Sequence, residues 1–232
     1  MIMAAGMGTR MMPLTRNRCK AMVDVGGKPL IDHCLDRLHA AGIHRAVVNV
    51  HAFADDLEAH VRQRQTGPEI IISDERDELL DTGGALVKAQ NALGRDPILI
   101  CNIDALWVEF APVLPTLMAH WDPRTMDELF LLAPREHSLG YDGAGDFDLN
   151  PDGQISWRAH ATADFVYAGI EIFKPGLITG YDCEKFSRKV MWDKTFARNK
   201  AYGCEIPAYW MHVGDPRARK AAQAVLDYVR AA

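Results

Sequence analysis

Ala4-Ala5-Gly6-Met7-Gly8-Thr9-Arg10, followed by Pro13-Leu14-Thr15 and then Lys20, stands directly behind a very short apolar opening, Met1-Ile2-Met3. That order reads as a first strand emptying into a glycine-rich loop. Small residues let the backbone come close to a ligand, and successive N–H groups can surround phosphate oxygens. Arg10 and Lys20 set positive charge beside this cradle. The arrangement points to a site for a nucleoside triphosphate.

Two lookalikes fall away. No G-x-x-x-x-G-K-[ST] occurs, so the loop is not a Walker A loop. It has G-x-G but lacks the third glycine of the dinucleotide fingerprint, and Pro13 would interrupt a helix starting right after it. Both points weigh against a nicotinamide oxidoreductase. A lone G-x-G is often only a surface turn. The longer string, continued by Gly27-Lys28-Pro29-Leu30-Ile31, is far more specific.

The chain has 232 residues, 48% of them hydrophobic, enough to bury a full core. A net charge of −5 argues against nucleic acid as the main partner. There are five cysteines, an odd number with no C-x-x-C pair, which argues against a disulfide framework or a structural zinc site. No signal peptide and no apolar run of about 18 residues is present, so a soluble, cytoplasmic protein with no membrane partner is expected. Oligomeric state is not readable.

Outward from the loop, apolar runs alternate with helical patterns. Residues 46–50, 69–73 and 98–102 read as buried strands. Leu30, Ile31, Cys34, Leu35, Leu38 and Ala41 share one helical face with Gly42 as a stop; 54–64 and 84–93 read as further helices. This alternation predicts an α/β fold, a Rossmann-like, mostly parallel sheet with helices on both faces. The second half differs. Asp146–Leu149 and Gln154–Trp157 flank an Asn-Pro-Asp-Gly turn, and 165–173 reads as a long strand. Leu139–Gly145 reads as a mobile loop over the site, while 191–202 shows no clear period. Asp215-Pro216 opens a last helix with Ala222, Val225, Leu226 and Val229 facing inward. The simplest organisation is one domain over 1–232, with a nucleotide-binding half (about 1–105) and a second half (about 106–232) carrying a small antiparallel insertion for a second substrate.

The string A-A-G-x-G-T-R-x-x-P-L-T, then Lys20, then G-K-P-L-I resembles the sugar-1-phosphate nucleotidyltransferase family. The likeness is close over the first thirty-odd residues and looser beyond. It implies transfer of a nucleotidyl group from a nucleoside triphosphate to a sugar 1-phosphate with release of pyrophosphate. It also implies the residues. Backbone groups of Ala4, Ala5, Gly6, Gly8 and Thr9 would hold the nucleotide. Arg10 would meet the departing pyrophosphate, and Lys20 would lie against the phosphates at the bond being broken. Thr82-Gly83-Gly84 would pass along the nucleobase. The second half, about 106–232, would be the sugar-binding half, and Gly145, Asp146 and Glu171 would line the sugar pocket. Asp104, at the end of an apolar strand, would bind Mg²⁺, with Mn²⁺ as an alternative.

Three departures from the family pattern stand out. Cys19 replaces a proline before Lys20, which would loosen the loop exit. Ile103 replaces a glycine before Asp104. His212, in Trp210-Met211-His212-Val213-Gly214, takes the place of a second metal-binding aspartate; imidazole suits Mn²⁺ or Zn²⁺ better than Mg²⁺. Only three residues precede Ala4, which leaves open a natural start upstream of Met1. Within the family, the short N-acetylmuramate α-1-phosphate uridylyltransferases of cell-wall recycling are the group most resembled. Mannose-1-phosphate guanylyltransferase-like and phosphocholine cytidylyltransferase-like enzymes, and a non-catalytic nucleotide-sugar-binding regulator, remain the alternatives.

Overall fold

Arg45-Ala46-Val47-Val48-Asn49-Val50 is apolar on both faces of one strand, as a strand inside a two-sided sheet must be. Ala46, Val48 and Val50 join a core that holds Leu30, Leu35 and Leu57; Val47 joins Leu86, Ala89 and Ile100 on the opposite face. The computed structural model describes residues 1–231. In chain order it contains β1 (Ile2–Met3), β2 (Asp24–Val25), β3 (Lys28–Pro29), α1 (Leu30–Ala40), β4 (Arg45–Val50), α2 (Ala54–Arg62), β5 (Glu69–Asp74), α3 (Asp81–Leu93) and β6 (Ile98–Asn102). There follow β7 (Ala105–Glu109), α4 (Val113–His120), β8 (Glu128–Pro134), β9 (Phe147–Leu149), β10 (Ile155–Trp157), β11 (Phe165–Phe173), α5 (Lys189–Ala197), β12 (Ala201–Glu205), β13 (Ala208–His212) and α6 (Pro216–Ala231).

The main sheet runs β10-β9-β11-β6-β1-β4-β5, with β8 on β11 and β12 on β8. Strands β6, β1, β4 and β5 are mutually parallel. Strand β11 lies antiparallel to β6, β8 and β9. The sheet is therefore parallel where βαβ crossovers build it and antiparallel around β11, with β12 again parallel to β8 at its edge. Helices α1 and α2 cover one face and α3 the other. The short strand β1 sits in the middle, paired to β4 on one side and β6 on the other. Its loop consequently opens at the carboxyl ends of the parallel strands, where α/β sheets hold ligands.

Several elements differ from the sequence reading. Helix α3 begins at Asp81, not at Gly84, so Thr82, Gly83 and Gly84 belong to its first turn. Strand β8, which the sequence reading did not place, is an unbroken apolar run, Leu129-Phe130-Leu131-Leu132-Ala133, buried on both faces; periodicity alone does not tell such a run from a buried helix segment. The unplaced stretch 191–202 resolves into α5 and the start of β12. Helix α5 is short, and its Trp192 and Phe196 enter an aromatic cluster with Phe130, Phe147 and Trp157. Asp215 caps α6 by accepting the Ala218 N–H at 2.8 Å. Ala218 and Ala222 are the buried residues of that helix, while Val229 is 46% exposed, contrary to its expected inward face. Among the described residues, no helix is long and apolar enough to cross a membrane.

Candidate active site

The loop after β1 turns on Gly8, whose φ of +62° puts it in the left-handed region. A side chain there would be strained and would press on Thr15 and Lys20. The Gly8 carbonyl accepts from Thr15 Oγ1 at 2.8 Å and from the Met11 amide at 2.9 Å, which closes a tight turn over Thr9–Met11 ahead of Pro13. The amides of Gly6, Met7, Gly8, Thr9 and Arg10 donate to no protein acceptor among the described residues. They are the free donors of the cradle. The amides of Ala4 and Ala5 donate to Asn49 Oδ1 at 2.6 and 3.2 Å, which fixes the loop and leaves their carbonyls as the backbone groups that could meet a nucleotide; Ala5 lines the first cavity.

Asn49 is a residue that the sequence reading missed. It is 3% exposed, and its Nδ2 donates to Glu75 Oε1 at 2.8 Å. Glu75 is fully buried, and its Oε2 accepts the Leu80 amide at 3.1 Å. This chain of buried polar bonds ties the loop after β1 to the ends of β4 and β5 and to the start of α3. The signal was an amide inside an apolar strand, because a buried polar side chain must find partners.

Lys20 and Asp104 meet across the mouth of the sheet, with Nζ 2.6 Å from Oδ2. Strands β7 and β13 pair antiparallel with Ala105 opposite His212, which brings His212 to the same carboxylate. Its Nε2 lies 3.1 Å from Oδ2. Burial pushes the Asp104 carboxyl up, but the His212 hydrogen bond and the Lys20 charge outweigh it and hold the group well below the usual carboxylate range. Both partners use Oδ2; Oδ1 accepts no hydrogen bond among the described residues. Among these residues no three His, Cys, Asp or Glu side chains converge as a ready metal cage. The Asp104 and His212 pair fits an ion that fills its shell with water and phosphate oxygens.

Two cavities adjoin this pair. The first, about 440 Å³, is lined by Ala5, Gly6, Gly8, Thr9, Arg10, Lys20, Thr82 and Asp104, together with Leu79, Asp81, Asn102 and Lys185. The second, about 280 Å³, is lined by Tyr141, Asp146, Trp157, Tyr167, Gly169, Lys189, Trp192, Trp210 and His212. Arg10, Asn102 and Asp104 border both. A bulge in β11 sets Gly169, with φ +84°, against Ala105 and Asn102, where a side chain would be strained and would press on both of these cavity-lining residues.

Four expected site residues lie elsewhere. The amides of Gly83 and Gly84 donate to the Phe186 carbonyl at 2.9 and 3.4 Å, and side chains at these positions would strike the Phe186 ring and the Glu184 carbonyl. These glycines admit the 184–186 segment against α3 and line neither cavity, whereas Asp81 and Thr82 line the first. Gly145 is buried behind the second cavity, with its amide on the Tyr141 hydroxyl at 3.1 Å. Glu171 is fully buried beneath that cavity. It lies 3.6 Å from the Arg188 guanidinium. Burial pushes its carboxyl up. Arg188, also missed, is 3% exposed and donates to Asn102 Oδ1 at 3.3 Å and to the Tyr167 hydroxyl at 2.7 Å.

Known proteins resemble this chain in sequence and in fold. The family model described as nucleotidyl transferase matches residues 1–141. An N-acetylmuramate alpha-1-phosphate uridylyltransferase of Caulobacter vibrioides is 45% identical over 97% of this chain and 96% of its own length. The enzyme of the same name from Neisseria meningitidis is 29% identical over 97% and 96%. A solved UDP-glucose pyrophosphorylase from Acinetobacter baumannii superposes with a TM-score of 0.78 at 15% identity, covering 96% of this chain and 90% of that one, a likeness of fold. With the loop, the sheet and the full-length relatives in agreement, the chain belongs to the nucleotidyl transferase family.

Proposed function

We propose that the chain joins a uridylyl group from UTP to N-acetylmuramate α-1-phosphate and releases pyrophosphate. The observation that carries this reading is the shared wall. Arg10, Asn102 and Asp104 border both cavities, so a triphosphate in one and a sugar phosphate in the other would meet beside Lys20 and Asp104. The 45% identity with the Caulobacter enzyme over nearly the whole of both chains supports the choice of substrates.

In the reaction a phosphate oxygen of the sugar phosphate forms a bond to the α-phosphorus of UTP. The bond from that phosphorus to the bridging oxygen breaks, and pyrophosphate leaves with the electron pair. The free amides of residues 6–10 would hold the phosphates, as donors fixed before the reaction begins. Lys20, drawn from Asp104 to the phosphates, would offset charge at the phosphorus, and Arg10 would do so on the leaving pyrophosphate. Holding the two phosphates in line converts a bimolecular step into an oriented one. Asp104 and His212 would hold a divalent cation, Mg²⁺ or Mn²⁺, which when bound supplies positive charge to the phosphoryl oxygens.

The test is pyrophosphate release with UTP, GTP, CTP and dTTP against N-acetylmuramate, N-acetylglucosamine, glucose and mannose α-1-phosphates and phosphocholine. UTP with N-acetylmuramate α-1-phosphate is expected to give the highest kcat/KM. A higher value for GTP with mannose 1-phosphate would replace this reading, and no release with any pair would make the chain a binding protein.

A further inference from the structure

We infer that Lys189 selects an acidic sugar 1-phosphate by pairing with a carboxylate carried on a substituent of the sugar ring. The inference rests on the reading of the second cavity as the sugar site.

That cavity carries Tyr141, Trp157, Tyr167, Trp192 and Trp210 in its lining, which suits the apolar faces of a sugar ring. Its lysine and arginine side chains are Arg10 and Lys189. Arg10 stands on the border with the nucleotide cavity, where the 1-phosphate must lie. Lys189 stands at the start of α5 and lines the second cavity but not the first. Its ammonium lies 5.5 Å from the centre of the Trp157 ring. The carboxylate that would ordinarily pair with it is Asp193, one turn further along α5. Asp193 instead accepts the Trp157 indole N–H at 2.6 Å. That bond fixes the ring beneath the lysine. Lys189 makes no ion pair among the described residues. The acidic groups facing the cavity are occupied: Asp104 by Lys20 and His212, and Asp146 by the Tyr167 amide at 2.9 Å.

A cation over a fixed aromatic ring, without an ion-pair partner among the described residues, in a cavity whose other cation Arg10 is shared with the nucleotide side, matches a ligand with two anionic groups. N-acetylmuramate α-1-phosphate is such a ligand. N-acetylglucosamine α-1-phosphate is the same sugar without the lactyl carboxylate and has only one.

The experiment measures kcat and KM for these two sugar phosphates with saturating UTP in wild type, Lys189→Ala, Lys189→Glu and Lys189→Arg. The readout is the ratio of kcat/KM for the acidic sugar to that for the neutral one. Lys189→Ala is expected to lower the ratio by roughly 10- to 100-fold, the scale of a lost charge-assisted hydrogen bond, mainly through KM. Lys189→Glu should lower it further, and Lys189→Arg should hold it within a few-fold of wild type. A ratio that stays constant in Lys189→Ala and Lys189→Glu, while wild type uses the acidic sugar, overturns the assignment of Lys189 alone. Wild type that fails to use the acidic sugar overturns the substrate reading and this inference with it.

Discussion

Asp104 gathers two cationic or potentially cationic partners on one oxygen, Lys20 at 2.6 Å and His212 at 3.1 Å. That crowding gives His212 a measurable role. Replacing it with aspartate puts an oxygen donor where an imidazole stands, and Mg²⁺ prefers oxygen. In His212→Asp the ratio of activity with Mn²⁺ to activity with Mg²⁺ should fall several-fold relative to wild type. Equal metal profiles in the two proteins would remove His212 from the metal's surroundings. Cys19 was expected to loosen the loop exit, yet it is 2% exposed and its backbone sits at φ −69°, ψ 160°, where a proline would sit. Its amide donates no hydrogen bond among the described residues. Cys19→Pro is therefore expected to raise stability by about 0.4–1 kcal/mol in chemical denaturation, since it restricts the unfolded chain. A loss of stability would mean that the buried thiol contributes contacts a pyrrolidine ring cannot replace. At this scale the loop, Lys20 and Asp104 were legible because their types and spacing are specific. Asn49 and Glu75 were not, because their role lies in bonds between strands far apart in sequence.

Helix α3 shows how an element can be read correctly and its purpose misread. Its glycine start was visible, but the glycines serve the 184–188 segment rather than a base. Phe186 accepts the Gly83 amide, the Leu80 carbonyl accepts the Phe186 amide at 3.2 Å, and Thr82 Oγ1 accepts the Arg188 amide at 3.1 Å. That segment carries Lys185 into the first cavity and leads to Lys189 in the second. In Gly84→Ala the new methyl would fall on the Glu184 carbonyl, which is backbone and cannot swing away. A cost of about 1–3 kcal/mol is expected in urea unfolding, together with weaker binding of both substrates. A variant as stable as wild type would show that the segment shifts freely. The parallel strands were legible because β-branched runs alternate with helical periods. Strand β8 and helix α5 were not, because one is a Leu-rich apolar run, with no β-branched residue from Leu129 to Ala133 to tell it from a buried helix segment, and the other is short and covered by aromatic side chains.

Across the whole molecule, Arg188 links the two halves of the cleft. It reaches Asn102, which borders both cavities, and Tyr167 in the second, over the buried Glu171. Burial pushes the Glu171 carboxyl up while the Arg188 charge opposes it; burial and then the Glu171 charge push Glu128 up as well. A carboxyl raised in the folded state binds more protons there than in the unfolded chain. Its contribution is present below the unfolded value of about 4.3 and is lost as pH rises through the folded value. Removing Arg188 raises both carboxyls further, so the deficit relative to wild type should grow with pH. Arg188→Met is expected to cost about 3–5 kcal/mol at pH 7 and clearly less at pH 5, measured by denaturant unfolding. A deficit independent of pH would contradict the pairing of Arg188 with Glu171.

The meeting of the two cavities at Lys20 and Asp104 is tested most directly by pyrophosphate release from UTP and N-acetylmuramate α-1-phosphate with Mg²⁺, in wild type, Lys20→Ala and Asp104→Ala. Circular dichroism and a thermal melt on each variant establish that it is folded. Each substitution should lower kcat by about 10²–10³-fold or more, the effect of removing a preorganised charge from the reacting phosphates. A folded Lys20→Ala or Asp104→Ala protein with wild-type turnover would contradict the placement of nucleotidyl transfer at this pair.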